Sequence, residues 1–203
     1  MSGAFPTSKK PRVFNFASNR PNSTAYTLSG KRSVKQFAAQ YFTFSVQMPP
    51  MNQSDFMEFY AFLIKQKGSF DTFTFQYPLE NQGVDKGQTD ILVNGATSAG
   101  ATQVPMDGFT ASGTTNNVLR SGDLIKFASH NKIYMITDNE NANSSGEVAA
   151  VDIEPPLQAD VANNEAVTVN QPSFTVALEQ DDILYSTDAA GFFTLSFDVR
   201  EVL

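Results

Sequence analysis

The chain has 203 residues, 41% of them apolar and 12% aromatic, which excludes a disordered chain and suits one large domain or two small ones. It has no cysteine, which excludes disulfides, thiol nucleophiles and cysteine-based metal sites. The net charge of −7 is unevenly spread: residues 1–35 hold seven basic residues and no acid, while residues 36–203 hold seven bases against 21 acids, a net −14.

The opening MSGAFPTSKKPRV lacks the apolar run of a signal peptide, and no later stretch reaches the length of a membrane span. Residues 1–22 are rich in Pro, Asn and Lys and follow no sustained period, so they are read as an extended basic arm with a short strand at 13–16. Tyr26 and Leu28 alternate with polar neighbours, Ser29-Gly30-Lys31 makes a turn, and a second strand covers 33–37. In YFTFSVQMPP, Phe42, Phe44, Val46 and Met48 alternate with Tyr41, Thr43, Ser45 and Gln47 before two prolines stop the run. That is a strand with one apolar face.

A helix over 53–67 follows. Asn52 or Ser54 can cap it, Asp55 and Glu58 lie in its first turn, and Gly68 suits the position just past its end. Phe56, Phe59, Tyr60 and Leu63 recur at helical spacing, so one face is strongly aromatic and needs a sheet to cover. The strand that supplies it is DTFTFQYP, with Phe73, Phe75 and Tyr77 on one side. The same alternation returns in FTVALEQ and in GFFTLSFDVREVL, with a turn between them at Asp188-Ala189-Ala190-Gly191.

Residues 79–172 differ. They are rich in Gly, Asn, Asp, Ser and Thr, with short strands at 91–93, 102–106, 123–127, 132–136, 148–153 and 166–169. Turn residues at that spacing suggest a small barrel or sandwich. The fold expected is therefore mainly β: a β-sandwich core of 23–86 and 173–203 with one flanking helix, and an inserted β-barrel of 87–172. Surface loops tolerate such insertions.

Few residues of the chain point to chemistry. His130 is the sole histidine, and Ser129 beside it points the other way on a strand or turn, so a turn histidine is preferred to a catalytic one. Asp138, Glu140, Asn141 and Asn143 could suggest calcium, but the spacing of a calcium-binding loop fails at Ala142 and Asn143. Asp181-Asp182 reads more simply as a strand-edge turn than as a carboxylate pair. No glycine-rich phosphate loop is present. No catalytic residue, cofactor or metal is expected, and the chain is read as a non-enzyme.

The series YFTFSVQMPPMNQSDFMEFYAFLIKQKGSFDTFTFQYP resembles a recurring core of tailed-bacteriophage distal tail and minor tail proteins. Pro49-Pro50, Phe56, Phe59, Phe62-Leu63, Gly68, Phe70, Phe73 and Phe75 carry the likeness. AGATQVPMDGF, VLRSGDLIKFASHNKIYMIT and IEPPL resemble the inserted barrel of such proteins, and FTVAL with GFFTLSFDVREVL resembles their closing strands. The resemblance covers most of 23–203. It implies a tail-tube-like core and a virion subunit, assembled in the host cytoplasm, that forms a ring at the tail tip. It also implies partners: further copies of itself, with a hexamer expected, and neighbouring tube and hub proteins.

A ring joins one face of a subunit to a different face of the next. The charge asymmetry suits such head-to-tail contact, which makes Lys9, Lys10, Arg12, Arg20, Lys31, Arg32 and Lys35 candidate interface residues. Aromatics do not interleave with these bases as a nucleic-acid platform needs, and a positive lumen would retard passing DNA, so a protein–protein role is preferred. An alternative function is a carbohydrate-binding module, with Tyr134 and polar loops of the insert facing a host glycan. A hydrolase using an acid pair is the least favoured.

Overall fold

The computed structural model describes residues 3–37, 40–111 and 113–203. They fall into two units: residues 1–74 with 175–203, and residues 75–174. The protein is mainly β, with one helix among the described residues.

The first unit begins with β1 (Val13–Asn19), β2 (Asn22–Tyr26), β3 (Arg32–Gln36) and β4 (Tyr41–Gln47), then α1 (Gln53–Lys65) and β5 (Thr72–Gln76). In β4 the alternation is realised directly: Phe42, Phe44 and Val46 are buried while Ser45 and Gln47 are exposed. β1 pairs antiparallel along the whole of β4, so Phe14 and Phe16 face Val46 and Phe44. The Phe16 ring stacks on Phe42 at 4.7 Å.

Asn52 caps α1 by accepting a 2.9 Å bond from the Asp55 amide. Phe56, Phe59 and Leu63 are the buried stripe, each contributing roughly 1.5–3 kcal/mol on burial. The helix stops at Lys65, two residues before the expected end, because Lys67 and Gly68 both turn to positive φ. At Gly68 a Cβ would meet Asp181 Oδ1 at 2.7 Å and its Cα at 3.0 Å, so the approach of that loop requires glycine.

The second unit contributes β6 (Leu92–Val93), β7 (Gln103–Asp107), β8 (Thr115–Leu119), β9 (Leu124–Phe127), β10 (Ile133–Ile136), β11 (Glu140–Ala142), β12 (Val148–Glu154) and β13 (Val167–Thr168). The chain then returns through β14 (Ser173–Leu178), β15 (Tyr185–Thr187) and β16 (Phe193–Glu201).

In the first unit these last strands complete one sheet in the order β1-β4-β16-β14-β5, with β15 beside the start of β16. Val46 faces Phe197 and Phe44 faces Val199, which continues the apolar face across the sheet. Where the sequence suggests a sandwich, the layer against this face is α1: Phe5 bridges Phe59 at 5.5 Å and Phe197 at 5.3 Å. β2 and β3 form a separate two-stranded sheet.

Residues 1–22, read from the sequence as an extended basic arm, are fastened to this unit at Phe5 as well as along β1. Phe5 is 6% exposed and packs on Phe59, Phe62, Phe73 and Phe197. Its amide donates to the Thr74 carbonyl at 2.8 Å, and the Thr74 amide donates to Gly3 at 3.0 Å. A phenylalanine buried among four others recovers enough apolar area to hold an otherwise irregular segment.

In the second unit a six-stranded sheet runs β13-β9-β10-β12-β7-β6. Val93 donates to the Glu165 carbonyl and Val167 to that of Ile91, both at 2.9 Å, so the two edges nearly close a barrel. Its interior holds Ile91, Val104, Met106, Ile125, Phe127, Tyr134, Ile136, Val151 and Ile153. β8 and β11 form a side ribbon that the sequence pattern missed, because Asn117 breaks the alternation with φ 57°.

The segment that leads into β6 is also fastened to this unit. Asn81 Nδ2 donates to the Leu124 and Val169 carbonyls at 2.7 and 2.6 Å. Asp123 accepts from the amides of Gln82, Gly83 and Arg120 at 2.6, 2.9 and 2.9 Å. Asp85 takes the Thr110 amide and hydroxyl, each at 2.7 Å. These buried polar pairs fasten 81–85 to the barrel.

Candidate assembly interface

The β2–β3 hairpin is the most exposed structure in the first unit. All ten strand residues are exposed. Register places Thr24 opposite Val34 and Tyr26 opposite Arg32, so Thr24, Tyr26, Arg32 and Val34 share one face. The Thr27 hydroxyl and carbonyl tie the turn to Lys31 and Gly30, with Gly30 at φ +79°. Leu28 stands at the tip, and Tyr26 is 70% exposed. The hairpin thus groups large exposed apolar side chains with basic ones, a combination suited to an interaction surface.

The seven basic candidates separate into two groups. Lys9, Lys10 and Arg12 precede β1, and Lys9 forms a 3.1 Å ion pair with Asp55 of α1. Arg20, Lys31, Arg32 and Lys35 flank or lie on the hairpin. Arg20 donates to the Gln36 amide oxygen across the hairpin base. Lys35 Nζ lies 6.0 Å from the centre of the Phe37 ring.

A second surface was not singled out from the sequence. Residues 179–192 contain Glu179, Asp181, Asp182 and Asp188 and no base. Such a run of acids was the available signal. β15 and the start of β16 form a short hairpin here, with Tyr185 opposite Leu195 and Thr187 opposite Phe193. Asp188 Oδ1 closes its turn by accepting from Ala190 and Phe192 at 2.9 Å. Tyr185 lies 5.0 Å from Phe56 and 5.3 Å from Tyr60, which anchors the hairpin on α1. Leu184, Tyr185 and Phe192 remain exposed. Asp181 accepts from the Ser69 hydroxyl and amide at 2.7 and 3.0 Å, and those two bonds hold its carboxyl below the ordinary aspartate range.

The residues examined for other chemistry are occupied structurally. Tyr134 is fully buried, so it cannot face a glycan: its hydroxyl pairs with His130 Nδ1 at 2.7 Å and accepts from the Gln158 amide at 3.1 Å. Ser129 Oγ donates to Glu165 at 2.5 Å. Burial pushes the Glu165 carboxyl up, but the bonds from Ser129 and Ala162 outweigh it and hold it low. Glu140 accepts from the Asp152 amide, and burial raises its carboxyl. Asn141 and Asn143 accept from nearby backbone amides. Among the described residues no helix is long and apolar enough to cross a membrane.

Residues 88–171, the barrel, match the family model described as distal tail protein pb9, B domain. Over 191 residues the chain is 24% identical to the distal tail protein pb9 of Escherichia phage T5, covering 93% of this chain and 90% of that protein. Both comparisons place the resemblance in the same group, the phage distal tail proteins. The likeness extends over both units, not the barrel alone. That similarity supports a structural tail protein.

Proposed function

We propose that this chain is a phage distal tail protein that assembles as a ring of identical subunits at the tail tip and links the tail tube to hub or receptor-binding parts. The observation that carries the reading is the β2–β3 hairpin, whose two faces are exposed along their whole length. An isolated two-stranded hairpin is marginally stable in water, so one that displays Tyr26, Leu28 and Val34 calls for a protein partner. The basic hairpin on a strongly acidic chain favours another copy, joined head to tail. A hexamer is the ring size proposed. DNA is passing cargo and makes no specific contact.

Light scattering of the full chain across concentration, followed by negative-stain imaging, tests this. The mass should step from 22.2 kDa to one fixed multiple, with closed rings in the images. A mass of 22.2 kDa at every concentration and salt would overturn self-assembly.

A further inference from the structure

We infer that the β2–β3 hairpin of one subunit docks on the acidic β15–β16 hairpin of the next copy. The inference rests on the ring reading and names the two surfaces that meet.

The two segments are complementary in charge and alike in exposure. Residues 20–37 carry Arg20, Lys31, Arg32 and Lys35 and no acid; residues 179–192 carry Glu179, Asp181, Asp182 and Asp188 and no base. Each also displays large apolar side chains. Leu28, Tyr26 and Val34 are 110%, 70% and 44% exposed on the first, and Leu184, Tyr185 and Phe192 are 70%, 48% and 46% exposed on the second. Apolar groups rimmed by charges of opposite sign give contact area and register together. Two basic hairpins repel each other, as do two acidic ones, so same-face pairing is disfavoured and a head-to-tail contact results.

The two surfaces also differ in support. The acidic hairpin is held by Tyr185 on Phe56 and Tyr60 and by Asp181 on Ser69. The basic hairpin forms its own two-stranded sheet. A pre-organised platform receiving a protruding ribbon loses less ordering entropy than two mobile surfaces would.

The test is a charge exchange in the full chain, read by sedimentation velocity. One variant carries Lys31→Glu, Arg32→Glu and Lys35→Glu. A second carries Glu179→Lys and Asp182→Lys, leaving Asp181 and Asp188 to hold their turns. Each variant alone should associate at least about tenfold more weakly than the parent in low salt. An equimolar mixture of the two should associate again, since acidic hairpin then meets basic platform and the remaining pair is native. A single chain carrying both sets should also recover, which shows that each set folds.

A parent that assembles while the 179/182 variant assembles equally well would overturn this inference and leave the ring reading standing. So would failure of the mixture and of the combined variant to recover, because the hairpin would then meet another surface. A parent that never assembles would overturn both.

Discussion

Replacement of Phe5 by alanine tests whether the N-terminal segment belongs to the first unit's core. Phe5 is 6% exposed and has aromatic neighbours at 5.3, 5.5, 5.7 and 6.3 Å. Core Phe→Ala changes cost about 3–5 kcal/mol, part of it from aromatic pairs worth ~0.5–1.5 kcal/mol each. The segment can shift to fill part of the space, so the lower end, about 3 kcal/mol, is expected here. For a unit of this size that corresponds to a fall in melting temperature of more than about 10 °C. Hydrogen exchange read by mass spectrometry localises the effect. Protection should drop in β4, β16 and β5, whereas β9, β10 and β12 of the barrel should keep theirs. A shift below about 2 °C with unchanged protection in β4 and β16 would refute the reasoning and leave the N-terminal segment an unpacked arm.

Two further outcomes follow from one buried and one exposed carboxylate. Asp123→Ala leaves the amides of Gln82, Gly83 and Arg120 without their acceptor and should destabilise the barrel unit by roughly 2–4 kcal/mol; unfolding curves that superpose on the parent's would contradict the fastening of 81–85. The folded Asp181 carboxyl is lowered by Ser69, so its contribution is present above the unfolded aspartate range and is lost as pH falls through the lowered folded value. Ser69→Ala should move the Asp181 titration upward, toward the ordinary aspartate value, in an NMR pH series. An unmoved titration would show that other groups set it.

Much of the frame was legible without coordinates, for a local reason. In β4, β5, β14 and β16 a two-residue period assigns each side chain to a face before any partner is known. In α1 the 3.6-residue period and the Asn52 cap do the same. The uneven charge was equally plain, and four of the seven bases, Arg20, Lys31, Arg32 and Lys35, flank or lie on the exposed hairpin.

The rest depended on contacts between distant parts of the chain. Phe5 stands alone in GAFPTS, with no period to announce that four other phenylalanines enclose it. Tyr134 lies on a strand pattern that fits either face, and only the barrel's closure puts its hydroxyl against His130. β8 was hidden by a positive φ at Asn117 that its neighbours sustain. Tyr26 and Val34 show the converse: strand pairing puts them on one face, yet both are exposed. The sequence by itself determined which side chains share a face, because that is set by backbone period. Whether a layer covers the face was decided by tertiary structure alone, because burial is a property of what the rest of the chain brings to it.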